Sequence, residues 1–470
     1  MQQLSALDNL MLEGELPNLP MHMSAIMIYD TRGKRGSARM LKLFQDRFLE
    51  NSEKHFPILL CKAERLPLHL DRAYWVEDPN FSPTHHFSHV ALPKSQNWDA
   101  LYRLFGHFHA QPLDTKRPLW QVMCVEGLDR LEGIPHGASA LFLKIHHAVF
   151  DGKGALRLAH SFHNLSPEPD APTLADSMPP GDEEVDFHAP SLLGRYRRAW
   201  WHSIERPIDL VATLAKIAPQ LWPAHGSGEA KSEDPTPRTL FNNPVKADRV
   251  VGHVAMDISL LRNLEKKHHC SINDIALCVI AGALRGYLLD QDKLPAEDLR
   301  ALMPIDIRSP KEDGSIGNHV TVAKVSLYSS IDDTKSRLKA IHEDTSRGKK
   351  ESRRSGSRAM LELVDEIHPA VIISLGECLI ASGHIDDFPQ VVNTVVTNVP
   401  GIADDAYIGD AKLIDYLGFG PLAPNIGLFH TVSSTNAHVN ISFLSTCEFV
   451  GDGANYRDWI ARSWESVCSL

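Results

Sequence analysis

The sequence contains no Cys-x-x-Cys pair. Its seven cysteines are scattered and odd in number among 470 residues, which argues against a disulfide framework and for a reducing compartment. Positive charge is not in excess. Lys and Arg total 48 against 59 Asp and Glu, a formal charge of −11, so no nucleic-acid partner is expected. Met1 to Leu10 has neither a basic start nor an apolar core, so no secretory signal is expected. The most apolar window, Ala370 to Ser382, is interrupted by Glu377 and is shorter than the ~18 residues a spanning helix needs. No Gly-x-Ser-x-Gly elbow and no Gly-x-x-x-x-Gly-Lys-Ser/Thr loop occurs, so a hydrolase serine and a nucleotide cradle both lack their sequence support. Gly418-Phe419-Gly420-Pro421-Leu422-Ala423 matches a dinucleotide fingerprint by letters. Pro421 and the lack of a helical pattern after it argue against such a site.

What is present is a soluble, globular balance of 43% hydrophobic and 23% charged residues. The length favours two domains of about 200 residues each. In residues 1–165, Ser24 to Tyr29 and Ala138 to Ile145 read as strands, and Ala38 to Asn51 and Trp98 to Gln111 as amphipathic helices. Residues 166–240 read as linker and crossing helix. Ser166 to Pro190 and Gly226 to Pro237 are rich in Pro, Asp, Glu and Ser. Between them Leu193, Tyr196, Trp200, Ile204, Ile208 and Val211 recur at helical spacing, opposite Arg197, Arg198 and Glu205. That stripe either packs on the body or anchors the chain on anionic lipid through Trp200 and Trp201. In residues 241–470, strands are expected at Gly252 to Ile258, Leu299 to Ile307, Thr321 to Leu327, Val391 to Thr397 and Val439 to Leu444. Helices are expected at Leu260 to Lys267 and from a cap at Ser271 or Asn273 to about Leu289. Arg347 to Arg358, with six basic residues, reads as a solvated loop, or else as a contact for a phosphorylated ligand or anionic membrane. Both blocks mix strands and helices in a similar way. The expected fold is therefore α/β, an α+β sandwich of two domains with an active site between them.

The most informative stretch is His146-His147-Ala148-Val149-Phe150-Asp151-Gly152, at the end of the apolar run Ala140 to Ile145. A histidine on a rigid core strand, four residues before an aspartate and a glycine, is a plausible general base. Neighbours on a strand point to opposite faces, so His146 and His147 need different jobs. Two plainer readings stand beside this one. His147 can be a hydrogen-bonded core histidine, or His147 and Asp151 can hold a metal, although no third ligand sits at a diagnostic spacing.

The wider chain resembles the bacterial wax ester synthase/diacylglycerol acyltransferase family, nearly end to end. Pro20-Met21-His22-Met23 is similar to that family's Pro-Met-His-Val. Pro112-Leu113-Asp114 with Arg117-Pro118-Leu119-Trp120 is similar to its Pro-Leu-Trp block. His146 to Gly152 matches His-His-x-x-x-Asp-Gly, and Asn273-Asp274 its Asn-Asp block. Met303 to Arg308, Gly317-Asn318 and Asn398-Val399-Pro400-Gly401 resemble further blocks. The chain departs from the family at Met23 and at Leu444-Ser445-Thr446-Cys447, which bears on the local acceptor pocket.

The resemblance implies two chloramphenicol-acetyltransferase-like domains with an active-site tunnel at their interface. It implies transfer of a long-chain fatty acyl group from acyl-CoA, a substrate rather than a cofactor, to a long-chain alcohol or to diacylglycerol. No metal or other cofactor is implied. His147 would be the general base and His146 a packed support. Asp151 would point away and hold its loop with an arginine, and Gly152 would allow tight passage of the backbone. Asn273 would donate to the oxyanion or merely cap its helix, beside Asp274. Pro118, Leu119 and Trp120 would line the acceptor route, with core filling the alternative for Trp120. Asn398 and Pro400 would shape the tunnel floor. The competing functions are an N-acyltransferase like a condensation domain and a non-catalytic lipid carrier or droplet protein. A cytoplasmic location is expected, with peripheral contact to the inner membrane or lipid droplets allowed. The sequence sets no oligomeric state.

Overall fold

The computed structural model describes residues 2–32, 36–92, 97–168, 171–173, 191–204, 236–306, 320–352, 391–399, 401–402 and 405–470, with single positions at 371, 374 and 378. The strands His22–Asp30 and Ala138–His146 pair antiparallel over their full length. Their alternation builds two cores at once. Ile26, Ile28, Ala140 and Phe142 face one apolar cluster with Phe105 and Phe108. Met27, Tyr29, Leu141 and Leu143 face another with Phe44, Phe48 and Trp120. Both faces of this strand pair are covered, which is why the run from Ala138 to Ile145 is nearly continuous in apolar residues instead of alternating with polar ones.

The six-stranded sheet around this pair runs in the order Tyr407–Ile408, Ala411–Phe419, His22–Asp30, Ala138–His146, Trp120–Glu126, Phe87–Ala91. A second six-stranded sheet runs Val320–Ser326, Arg300–Asp306, Thr394–Val399, Phe429–Ser434, His438–Ser445, Val250–Asp257. Residues 407–419 lie in the stretch expected to form the second unit, yet they hydrogen-bond into the first sheet along His22–Asp30. The next strand, Phe429–Ser434, returns to the second sheet. The crossing is stitched where Ser433 Oγ donates to the Tyr416 carbonyl at 2.9 Å and Asn440 Nδ2 donates to it at 3.3 Å. One core consequently draws on both sheets, with Phe142 and Leu417 from the first and Val396 and Phe443 from the second.

Most expected elements form with ends shifted by one to three residues. The expected strand at Val391 begins only at Thr394. Just before it, Asn393 Oδ1 accepts the Arg300 N–H at 2.9 Å and its Nδ2 donates to the Pro237 carbonyl at 2.7 Å. Helix Ile272–Leu289 is capped by Ser271, not Asn273, in a reciprocal box with Asp274. It is, among the described residues, the one helix apolar and long enough to cross a membrane. However, 72% of it is buried, which is the signature of a core helix. Its Gly286 lets helix Ala454–Cys468 approach closely; a Cβ there would stand 2.3 Å from Trp459 Cε3. Part of the expected basic loop is instead helical, because helix Thr334–Ser352 runs through Arg347. Residues 353–358 lie outside the described residues, as do most of Ser166 to Pro190 and both Ile208 and Val211. The crossing helix, residues 192–204, forms with its apolar stripe turned away from the body.

Candidate active site

His147 is the first residue beyond strand Ala138–His146. Its main-chain N–H donates to the Met21 carbonyl at 2.8 Å, so the Pro-Met-His-Met block holds it from the neighbouring strand. The residue is half-buried. Burial lowers the imidazole's pKa below its ordinary value, while its own backbone carbonyl and Asp151 pull it back. A ring so placed is neutral near pH 7 and able to accept a proton. Among the described residues no group of three His, Cys, Asp or Glu is placed to hold a metal.

His146 points elsewhere and its tautomer is set. Nδ1 accepts the Ala148 N–H at 3.0 Å, so Nε2 carries the proton and donates to Glu15 Oε2 at 3.1 Å. It is fully buried. Glu15 is the main support that the sequence pattern did not reveal. It is 131 residues away, and nothing in its local context signals the contact.

Two residues before His146 on the same strand lies Lys144, a lysine with no exposed surface. It donates to the carbonyls of Phe108 at 2.9 Å and Gln111 at 2.8 Å, the open carbonyls at the end of helix Trp98–Ala110. Around it, His22 Nε2 donates to the His109 carbonyl at 2.6 Å, and His109 Nδ1 bonds Ser24 Oγ at 2.9 Å. Burial pushes both histidines well below their ordinary pKa and pushes Lys144 down to about 7. Between that value and the ordinary 10.5, an unfolded chain holds the lysine proton and the folded one does not. Stability from this group therefore rises with pH through that window, and below it the buried charge carries its full cost. Lys144→Met should flatten this rise. Thermal midpoints of both proteins, measured from about pH 7 to about pH 10, give the test. Parallel curves would show that Lys144 is not the titrating group.

Asp151 is the N-cap of helix Gly152–Ser161, and its Oδ1 accepts the Gly154 N–H at 2.9 Å. It is buried and organises the turn that follows His147. Tight packing falls on Gly154, not on Gly152 as expected. A Cβ on Gly154 would stand 2.9 Å from Phe150 Cδ1, whereas one on Gly152 would meet Val399 Cγ2 at an ordinary 3.7 Å. That contact shows where the second sheet reaches the motif, through the end of strand Thr394–Val399. Asn398 is exposed there; Pro400 lies outside the described residues.

Pro118, Leu119 and Trp120 are the residues expected along the acceptor route, and the packing of Trp120 is that of core filling. All three are buried, and Trp120 has no accessible surface. Its indole N–H donates to the Leu59 carbonyl at 2.7 Å, and its ring stacks on His86 at 4.3 Å and against Phe48 at 4.5 Å. Leu119 contributes its carbonyl, which accepts the His146 N–H at 2.9 Å. This block buttresses the histidine strand from the side opposite the Pro-Met-His-Met block.

Asp274 belongs to the second half. It accepts from the Ser271 N–H at 2.9 Å, His342 Nδ1 at 2.9 Å and Thr345 Oγ1 at 2.7 Å. Burial alone would raise its pKa, but these donors, His342 foremost, hold it below the ordinary value. It ties helix Ile272–Leu289 to helix Thr334–Ser352. Asn273 is half-buried beside it, and its Oδ1 has no partner among the described residues.

Two family models together match most of the chain. The wax ester synthase/diacylglycerol acyltransferase catalytic domain matches residues 4–276, and the C-terminal domain of the same family matches residues 316–467. The chain belongs to this family. It is an acyltransferase. A protein of Mycobacterium tuberculosis named as a diacylglycerol O-acyltransferase is 28% identical, over 96% of this chain and 87% of its own. The O-acyltransferase WSD of Acinetobacter baylyi is 27% identical, over 88% of this chain and 85% of its own. The solved wax ester synthase/diacylglycerol acyltransferase of Marinobacter aquaeolei VT8 covers 100% of both chains with a TM-score of 0.71 at 22% identity, a likeness of fold. The catalytic-domain model takes in the Pro-Leu-Trp, His147 and Asn273-Asp274 blocks together. The C-terminal model takes in Asn398, Val399 and the strand that crosses into the first sheet.

Proposed function

We propose that the chain transfers a long-chain fatty acyl group from acyl-CoA to a long-chain alcohol or diacylglycerol, with His147 as general base. The observation that carries this reading is a neutral, half-buried imidazole at the end of a fully buttressed strand, where Val399 of the other sheet arrives. An alkanol is about as weak an acid as water, so its proton must be taken as attack proceeds. The imidazole accepts that proton while the alcohol oxygen bonds to the thioester carbon. The C–S bond then breaks, and the imidazolium returns the proton to the CoA thiolate. No acyl-enzyme and no cofactor takes part.

Asn273 is the proposed oxyanion donor. Ser271 and Asp274 have taken over the capping that would otherwise explain it, which leaves its amide Nδ2 as the group that would donate to the oxyanion. His146, fixed by Glu15 and Ala148, sets the strand end from which His147 projects. Asn398 at the exposed end of its strand, and Pro400 after it, stay proposed as tunnel floor. The names of the relatives favour acyl transfer to oxygen over a condensation-type transfer to nitrogen. All seven cysteines are free thiols, which supports a cytoplasmic location.

The test offers purified protein palmitoyl-CoA with hexadecanol, with diacylglycerol, and with a long-chain amine, and follows CoA thiol release and the lipid product. Ester or triacylglycerol formation is expected, and the ratio between the two names the preferred acceptor. Release of CoA with the amine alone would overturn the assignment.

A further inference from the structure

Helix 192–204 is turned inside out by the standards of a water-soluble surface. The side chains that hold it to the body are polar or small and recur at i, i+4 and i+7. Arg195, 3% exposed, pairs with Glu64 at 2.8 Å; Ala199 is buried; His202 Nδ1 donates to Asp71 Oδ2 at 2.9 Å. At 100° per residue, Leu193, Trp200 and Ile204 project directly away from that stripe, flanked by Tyr196 and Trp201. Leu193 is 81% exposed, Trp200 65% and Trp201 59%. An amphipathic helix ordinarily buries its apolar stripe and shows water its polar one. Here one ion pair, Arg195 with Glu64, and one hydrogen bond, His202 with Asp71, hold the helix in the reverse orientation.

The segment that supplies both anchors carries an exposed apolar side chain of its own. Between Glu64 and Asp71, Leu68 is 83% exposed with a φ of +58°, a left-handed conformation that costs a leucine free energy. A large apolar side chain is thus held in water at that cost, between the two residues that pin the helix.

We propose that this face docks on the surface of an anionic phospholipid bilayer. Charge selects that occupant. By the same spacing Arg197 projects with Leu193, Trp200 and Ile204, not opposite them as expected, and Arg198 is exposed about a further 100° round the helix, in a chain whose overall charge is −11 and would otherwise be repelled. Leu193, Trp200 and Ile204 enter the boundary between headgroups and acyl chains, the Trp200 and Trp201 indoles sit at headgroup level, and the two guanidiniums meet lipid phosphates. This deepens the acyl-transfer reading, because a long-chain alcohol or diacylglycerol partitions into such a surface and its product must leave into one. It rests on that reading for purpose only, and on the helix geometry for substance.

The full-length protein is floated with vesicles of equal parts phosphatidylcholine and phosphatidylglycerol, and with phosphatidylcholine alone. Wild type is expected to float with the mixed vesicles, less well with the neutral ones, and less as salt is raised. Arg197→Gln with Arg198→Gln should lose about 30-fold in partitioning onto mixed vesicles alone, from about 1 kcal/mol per basic residue. Trp200→Ser with Trp201→Ser should lose roughly tenfold or more on both. Both variants should keep the wild-type thermal midpoint and the wild-type rate of CoA release with a short-chain alcohol in solution. Wild-type protein that stays unbound to mixed vesicles, or a tryptophan variant that floats as well as wild type, overturns the proposal. So does a tryptophan variant whose only change is a fall in sedimentation mass, since a second copy would then cover the face. Flotation by a protein that releases no CoA with any acceptor sinks the acyl-transfer reading and leaves the surface standing.

Discussion

His147→Ala is expected to slow acyl transfer by about 100- to 10,000-fold while the protein stays folded. The activity loss follows from removing the group that takes the acceptor proton. The fold should hold because alanine keeps the main-chain bond of this residue to Met21. CoA release under saturating substrates and a thermal melt should be read on the same preparation. Full turnover in the variant would end the general-base assignment. The pH profile gives a second reading. Burial lowers the imidazole's pKa, so its basic form persists as pH falls through the ordinary value of 6.5. The acid limb of kcat/KM in wild type should therefore lie below that value, and it should vanish in the alanine variant. A limb above it would require a negative partner stronger than Asp151.

Trp120→Ala should cost about 3–5 kcal/mol of stability, the range for deleting a large buried aromatic. The residue fills a space bounded by Phe48, Phe81, His86 and Phe87, and its loss also leaves the Leu59 carbonyl without its donor. Because the strand carrying it pairs directly with Ala138–His146, the damage should reach His147 through the sheet and not through substrate contact. Denaturant midpoints should shift strongly, while KM for acyl-CoA and for alcohol, measured on the folded fraction, should hold. Trp120→Phe should restore most of the packing and leave only the hydrogen-bond loss. The opposite outcome, unchanged stability with a raised KM for alcohol, would return Trp120 to the acceptor route.

The two tests bear on what a motif means. Pro-Met-His-Met, Pro-Leu-Trp and the double histidine are far apart in the chain, yet their strands are neighbours in one sheet. The first two blocks hold main-chain bonds to the third, from the Met21 and Leu119 carbonyls. Their residue types were legible in the sequence, but their work was not. Trp120 looks the same on paper whether it touches a substrate or a phenylalanine. The double histidine was easier to single out, although His147 lies one residue beyond the strand, so strand alternation alone does not set its direction. Lys144 carried a signal of its own, one charge inside a run of buried apolar residues, though its carbonyl partners come from another helix.

Periodicity by itself placed the strands and helices it named to within a few residues, though not strands Trp120–Glu126, Ala411–Phe419 and Phe429–Ser434 or helix Ala454–Cys468, and the ordered motifs by themselves determined the family. Both are local or collinear properties, and a chain displays them before it folds. Only tertiary structure decided that residues 407–419 cross into the first sheet, that Glu15 holds His146 and that Trp120 is core. It also decided that the apolar stripe of helix 192–204 looks outward. Each of these depends on a partner tens to hundreds of residues away, and burial is a property of the assembled neighbours, not of the residue that is buried.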